Sequence, residues 1–167
     1  MSKKKKKFGR YYLLYIRRQE HIYFKKEWTK KIIKIVLQNA DPRLKCLFTV
    51  NILNRDFVPK LNGKVGKRLI TVNKMPYVEF MKLMNNAEFI ATDGCTNQEE
   101  AYYMGLPLLA LRNRTERTEG LGENVVISKG NGKVIKDFLR NYKKFRRKPI
   151  KLNTRPSKII VDYLLSH

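Results

Sequence analysis

Cysteine and histidine are scarce in this chain. Its 167 residues include two cysteines, Cys46 and Cys95, and two histidines, His21 and His167. The cysteines have no paired spacing and no secretory signal is evident, so we predict a reducing, cytoplasmic setting without disulfides. Because His167 is the last residue, neither a histidine-based catalytic triad nor a metal site is expected, and no cofactor is predicted.

Long apolar runs are absent as well. The longest ones, such as residues 11–16 and 106–111, are far shorter than the ~20 residues that a transmembrane helix requires. A chain of 167 residues has an ordinary length for one domain, and it can bury a core without a disulfide or a metal. We therefore expect a soluble protein with one domain.

Acidic residues are also few. The chain has 14 of them against 37 basic residues, and its formal net charge is +23. The basic residues concentrate at 3–7, 25–34 and 143–148 rather than in one module with base-stacking aromatics, which argues against nucleic acid as the partner. An anionic membrane surface or an acidic protein fits better. The lysine-rich lead at residues 1–10 is predicted to be a disordered arm, which is either a plain solvated tail or a segment that docks to a membrane or to an acidic partner.

What the sequence does contain is a regular alternation of short β-like runs and helical runs. Strands are predicted at residues 11–16, 44–50, 69–72, 89–92, 108–111 and 125–127, and helices at 27–38, 77–86, 97–104, 132–142 and 157–165. This alternation predicts the α/β class, with a single Rossmann-like domain over residues 11–167 built on a doubly wound parallel sheet. The last helix is expected to be capped by Ser157 after Pro156.

Residues 89–117 are the most informative stretch of the chain. A short apolar strand ends at Asp93-Gly94, and helix-forming residues follow directly. The unpaired N–H groups and the positive dipole end at such a helix start favour phosphate. The turns after three strands carry the arginines that are expected to converge on this point: Arg17, Arg18, Arg112, Arg114 and Arg117.

The same stretch resembles the carboxyl-terminal half of the non-hydrolysing UDP-N-acetylglucosamine 2-epimerases, a family of two Rossmann-like domains in the GT-B arrangement. The resemblance is carried by Thr92-Asp93 with Gln98-Glu99-Glu100-Ala101, Gly105 and Pro107, and by Arg112 with Thr115-Glu116-Arg117 and Glu119. A weaker match is YYLLYIRRQE at residues 11–20, and residues 77–84 resemble the helix that leads into the family's nucleotide site.

The resemblance implies a binding site for a UDP-sugar, UDP-N-acetylglucosamine in the first place. It implies that Gly94, Cys95 and Thr96 lie against the diphosphate, that Glu100 accepts hydrogen bonds from the ribose, and that Phe80 flanks the uracil. Arg17 in the first basic turn and Arg117 complete the predicted site, with Arg117 on the phosphates. A structural role is the alternative for several of them: core packing for Phe80, a solvated helix face for Glu100, and a small turn residue rather than a nucleophile for Cys95.

Three positions depart from the family's pattern: Ile16 replaces a histidine, Gly94-Cys95-Thr96 replaces a serine-glycine-glycine turn, and Met75 replaces a glutamine. The resemblance also places the acidic residues that move the proton at C2 of the sugar in an amino-terminal domain, and this chain is expected to begin after that domain.

We therefore expect a UDP-sugar-binding domain or subunit of an epimerase-like isomerase in glycan or polysaccharide biosynthesis, completed by a separately encoded amino-terminal half. The alternatives are the nucleotide-sugar-binding subunit of a split GT-B glycosyltransferase and a non-catalytic fragment.

Overall fold

A parallel sheet forms the centre of the protein. The computed structural model describes residues 8–55, 68–151 and 155–166. Within them, six strands pair in the order β3-β2-β1-β4-β5-β6, and every neighbouring pair is parallel. The strands are β1 (Tyr11–Tyr15), β2 (Lys45–Val50), β3 (Leu69–Asn73), β4 (Ile90–Thr92), β5 (Leu108–Ala110) and β6 (Val125–Ile127). The predicted doubly wound parallel sheet is confirmed.

Five helices lie within the described residues, and the first four of them cover the sheet. They are α1 (Lys26–Asn39), α2 (Tyr77–Asn85), α3 (Thr96–Met104), α4 (Gly132–Asn141) and α5 (Pro156–Ser166), with a π-helical turn at Glu20–Phe24 and a 3-10 turn at Tyr142–Phe145. Asn131 caps α4 by accepting hydrogen bonds from two backbone N–H groups of its first turn, as a polar residue before a helix does. The predicted boundaries of these helices were right to within one or two residues.

Side-chain alternation along β1 divides the core into two layers. Tyr12 and Leu14 belong to the cluster that α1 and α4 cover, whereas Tyr11 and Leu13 belong to the cluster beneath α2 and α3. Successive residues of a strand point to opposite faces, and a parallel sheet with helices on both faces buries both sets. This explains why the strands read as continuous apolar runs rather than as alternating patterns.

The two ends of the chain differ in their contacts. Residues 1–7, which hold most of the predicted lead, lie outside the described residues. Phe8 and Arg10 contact the domain, since the Phe8 ring lies 6.0 Å from the ring of Tyr11 and Arg10 Nε donates to Glu88 Oε1 at 2.9 Å. Contacts with the domain thus begin within the segment that was predicted to be a lead.

The last helix, α5, is exposed along its whole length. It begins at Pro156, which suits the first helical position because its missing N–H would have no partner there. Ser157 therefore lies inside the first turn, and its prediction as the cap was wrong. No helix in the described parts of the chain combines the length and the apolar composition needed to cross a bilayer.

Candidate functional site

The strand order reverses direction between β1 and β4, which makes this the crossover point of the sheet. The two strands are in register from Leu13 with Ile90 to Tyr15 with Thr92, so the turns that follow them lie side by side. In open α/β sheets the crevice at the carboxyl ends of such strands is the usual place for a ligand. The site is therefore built from the turn at residues 16–18 and the turn at residues 93–95.

Asp93 joins these two turns. Its carboxylate, fully buried, accepts hydrogen bonds from the backbone N–H groups of Arg17 at 2.9 Å and Arg18 at 3.1 Å. The His21 ring lies against the same carboxylate, with 2.9 Å between Nδ1 and Asp93 Oδ2. The sequence motif contained Asp93, but no role was predicted for it, because its partners lie more than 70 residues away in the chain.

A first cavity, of about 280 Å³, opens on one side of this junction. It is lined by Tyr15, Arg17, Thr49, Lys74, Met75, Tyr77, Phe80, Thr96, Asn97 and Glu100. Four of the predicted site residues are in this group: Arg17, Phe80, Thr96 and Glu100. They come from three separate parts of the chain, so their meeting in one cavity is a property of the fold.

Glu100 is the one carboxylate among the described residues that line the first cavity. Asn97 Nδ2 donates to Glu100 Oε2 at 2.8 Å. Burial raises the pKa of Glu100 above its ordinary value, and the hydrogen bonds with Asn97 and Tyr77 offset part of that rise. A carboxylate held in this way can accept hydrogen bonds from hydroxyl groups of a ligand.

Thr49 is a cavity residue that sequence reasoning missed. It is 4% exposed, and its Oγ1 has no hydrogen-bond partner among the described residues. A buried hydroxyl without a partner is costly, so a hydrogen-bonding group in this cavity would remove a penalty. Nothing in the sequence distinguished Thr49 from an ordinary residue of a buried strand.

Gly94 gives room at the start of α3. A Cβ atom at this position would lie 2.7 Å from Asn97 Oδ1 and 3.4 Å from Arg17 Cδ, so a larger residue would displace the neighbours that line the first cavity. The N–H of Gly94 donates to Thr92 Oγ1 at 3.0 Å. Donors for a phosphate must therefore come from the next residues, because the first N–H groups of a helix lack intrahelical acceptors. Thr96 is the first residue of α3, and Cys95, partly exposed, precedes it.

Arg117, like Gly94 and Cys95, is not among the residues that line the first cavity. Its Nη1 forms an ion pair with Glu99 Oε1 at 2.8 Å, and its side chain is 43% exposed. Its carbonyl oxygen accepts from Gln98 Nε2 at 3.1 Å, and the same Nε2 donates to the carbonyl of Glu119 at 3.0 Å. Gln98 thus attaches the loop after β5 to α3. The pattern that contains Gln98 and the pattern that contains Arg117 and Glu119 are therefore joined by hydrogen bonds. A phosphate contact for Arg117 stays a prediction.

A second cavity, of about 610 Å³, opens between the segment that follows β1 and the loop that follows β5. It is lined by Arg18, Glu20, His21, Lys25, Arg112, Asn113, Arg114, Thr115 and Glu116. Three of the five arginines that were expected to converge on a phosphate line this cavity, while Arg17 lines the first one.

Glu116 organises the arginines of the second cavity. It pairs with Arg112, which is 4% exposed, and with Arg18 at 3.3 Å. A backbone hydrogen bond of its own and the Arg112 guanidinium lower the pKa of Glu116 to about 2. The carboxylate is therefore ionised at neutral pH and pairs with two guanidinium groups that line the cavity.

Ile16 lies where the family was expected to have a histidine. It is 1% exposed, and its side chain belongs to the core cluster under α1 and α4. Within the described residues, no group of three or more His, Cys, Asp or Glu side chains is placed to hold a metal ion.

Comparisons with known proteins agree with this architecture. The family model described as UDP-N-acetylglucosamine 2-epimerase matches residues 1–156. The UDP-N-acetylglucosamine 2-epimerase of Methanocaldococcus jannaschii is 29% identical over 148 residues, which are 83% of this chain and 40% of that protein. The enzyme of the same description from Escherichia coli K12 is 38% identical over 79 residues, 47% of this chain and 21% of that protein. The chain spans less than half the length of these relatives.

Solved structures show the same fold. The UDP-GlcNAc 2-epimerase of Neisseria meningitidis bound to UDP-GlcNAc superposes with a TM-score of 0.77 at 23% identity, covering 95% of this chain and 45% of that chain. The M. jannaschii UDP-GlcNAc 2-epimerase in complex with UDP-GlcNAc and UDP gives a TM-score of 0.75 at 22% identity, covering 96% and 46%. The predicted Rossmann-like domain, corresponding to about half of a GT-B chain, is thus confirmed.

Proposed function

The chain belongs to the UDP-N-acetylglucosamine 2-epimerase family, and on that premise we propose that it is the UDP-sugar-binding half of an epimerase of this type. The single observation that carries the proposal is the first cavity. Arg17, Phe80, Thr96 and Glu100 were selected from the sequence as nucleotide-binding residues, and all four line it. The Neisseria relative was solved with UDP-GlcNAc bound, which supports the same class of ligand here.

The uridine part of the ligand fits the first cavity. Phe80 supplies an aromatic face for the base, and the Tyr15 ring, 5.6 Å from it, supports that face. Glu100 accepts hydrogen bonds from the ribose hydroxyls, and Thr49 Oγ1 is available for a polar atom of the nucleoside. The α-phosphate lies at the start of α3, near Thr96 and Arg17, where helix N–H groups and a guanidinium favour negative charge.

In the reaction, this half holds the UDP that leaves and returns. The bond between the anomeric carbon and the diphosphate oxygen breaks, and negative charge develops on that oxygen. Arginines and the N–H groups of a helix start stabilise such charge because they are oriented before the reaction begins. The acidic residues that move the C2 proton are expected from an amino-terminal half, so epimerase activity requires that partner.

Binding of UDP, measured by calorimetry, tests the proposal. Glu100→Gln is expected to weaken UDP binding by about 10-fold, since charge-assisted hydrogen bonds to the ribose are replaced by weaker neutral ones. The loss should vanish with 2′,3′-dideoxy-UDP, which lacks the hydroxyls. Glu99→Gln, the neighbouring carboxylate on the same helix, is the matched control and should leave ribose recognition unchanged. No binding of UDP at millimolar concentration would refute the proposal.

Arg117→Ala tests the remaining predicted residue. A phosphate contact predicts that this substitution weakens UDP binding much more than uridine binding. Equal losses for both ligands would leave Arg117 with the structural role that its ion pair with Glu99 suggests.

Product analysis separates the proposed isomerase from its alternatives. The chain combined with a matching amino-terminal half should convert UDP-N-acetylglucosamine to its C2 epimer, whereas a split glycosyltransferase would transfer the sugar to an acceptor. We place this chemistry in the cytoplasm, as part of glycan synthesis.

The lysine-rich lead is proposed to contact an anionic membrane surface. A steeply salt-dependent affinity for generic DNA duplexes would favour nucleic acid instead.

A further inference from the structure

A buried histidine–carboxylate pair lies beside the second cavity. His21 is 5% exposed, and its Nδ1 lies 2.9 Å from Asp93 Oδ2. Thr29 Oγ1 donates to the His21 carbonyl oxygen at 2.7 Å, and the Trp28 ring packs 5.0 Å from the imidazole. The segment is a π-helical turn, a rare form found often at functional sites. These contacts fix the backbone of His21 as well as the position and the orientation of its ring.

This arrangement leaves one ring nitrogen for a ligand. Because Asp93 is acceptor-only, it takes the Nδ1–H, and Nε2 is the other polar atom of the ring. His21 lines the second cavity, and among the described residues no hydrogen bond to Nε2 accompanies the one to Nδ1. The Nε2 atom is therefore available to a ligand in the second cavity.

The second cavity suits an anion. Four Lys or Arg side chains and two glutamates line it, and both carboxylates are already paired, Glu20 with Lys25 and Glu116 with Arg112. The cationic groups therefore exceed the anionic ones. Phosphate oxygens are the usual partners of clustered guanidinium groups.

The two cavities flank one turn. Arg17 lines the first and its neighbour Arg18 lines the second, and Asp93 holds the backbone of both residues. A nucleoside diphosphate with its uridine in the first cavity would extend its distal phosphate across this turn. On the basis of the proposed function, we propose that His21 is a ligand-binding residue whose Nε2 contacts an oxygen of the distal phosphate of UDP.

Two substitutions at His21 separate the roles of its nitrogens. The amide nitrogen of Asn occupies nearly the place of Nδ1, whereas that of Gln reaches nearly as far as Nε2. His21→Asn should keep the bond to Asp93 yet weaken UDP binding by about 10-fold, with UMP binding changed by less than about twofold. His21→Gln should keep most of the UDP affinity.

Thr29→Val is the matched control, because it removes the bond to the His21 carbonyl without touching the ring. It should leave the ratio of UDP to UMP affinity unchanged. Calorimetry with UDP and UMP on all four proteins gives these values. Equal weakening of UDP and UMP in His21→Asn, or full retention of UDP affinity, would overturn the inference while leaving the proposed function intact. A wild-type protein that binds no UDP would overturn both.

A spectroscopic measurement does not depend on how the variants fold. In protein labelled with ¹⁵N-histidine, the imidazole signals of His21 can be assigned by comparison with His167→Gln. UDP should shift the His21 Nε2 signal and UMP should not. The same response to both ligands would overturn a contact with the distal phosphate.

Discussion

Asp93→Asn is the substitution that most directly tests how the site is assembled. The carboxylate is fully buried and accepts three hydrogen bonds, from Arg17 N at 2.9 Å, Arg18 N at 3.1 Å and His21 Nδ1 at 2.9 Å. An asparagine has one acceptor oxygen and one donor NH₂ group. If the oxygen keeps the Arg17 N–H, the NH₂ group faces the Arg18 N–H, and two donors meet without an acceptor.

The expected cost follows from these contacts. Hydrogen bonds to a charged acceptor are worth about 1.5–3 kcal/mol each, and an unsatisfied buried donor costs a further ~1–3 kcal/mol. One bond is lost outright, and a second is weakened because its acceptor becomes neutral. His21 recovers part of the loss by changing tautomer and accepting from the NH₂ group. We expect the free energy of unfolding to fall by about 3 kcal/mol.

Urea unfolding followed by circular dichroism measures this change. Asp137→Asn is the matched control, since it makes the same change in net charge on the exposed face of α4, where the effect should stay within about 0.5 kcal/mol. A loss below about 1 kcal/mol for Asp93→Asn would refute the reasoning, because the buried carboxylate would then not be what joins the two turns.

Three further outcomes are expected. Asn124→Ala should lower the free energy of unfolding by about 3 kcal/mol, because its buried amide donates to two carbonyl oxygens at 3.0 and 2.8 Å; an unchanged urea midpoint would contradict this. Glu116→Gln should be less stable than wild type at neutral pH, and the difference should disappear as pH falls from about 4.5 to about 2, since a backbone hydrogen bond and the pairing with Arg112 lower the folded-state pKa of Glu116 from 4.5 to about 2. A difference that is constant over this pH range, measured as urea midpoints, would show that the ion pair is not responsible. Ellman's reagent should modify Cys95 in the native protein and Cys46 only after unfolding, because burial raises the pKa of the Cys46 thiol to about 12; rapid modification of both thiols would contradict the packing.

Predictions from the sequence succeeded where local patterns carry the information. The apolar run around Tyr12 and Leu14 identified β1 because a strand buried on both faces needs apolar residues at every position. Gln98 and Glu100 were recognised through a motif whose spacing along α3 is local. Glu100 lines the first cavity, because a helix that starts at the carboxyl end of a strand presents its first turns to the crevice.

The predictions that were incomplete involve residues far apart in the chain. Arg17 and Arg18 were expected to converge on one phosphate site, yet the carboxylate of Asp93 holds their backbone and they line different cavities. Arg117 forms an ion pair with Glu99 on α3, and its phosphate contact stays a prediction. No local rule predicts these outcomes, since they depend on which side chains tertiary packing brings within hydrogen-bonding distance.

The sequence by itself determined the order of the strands and helices, the position of the turn at Gly94 and the family to which the chain belongs. These depend on periodicity, turn chemistry and motif spacing, all of which are local. The scarcity of histidine argued against a histidine-based catalytic site. Only the tertiary structure decided that Asp93 holds His21 beside an arginine-rich cavity. The reason is physical: a buried polar side chain has a role that depends on its partners, and in a parallel sheet neighbouring strands are far apart in sequence.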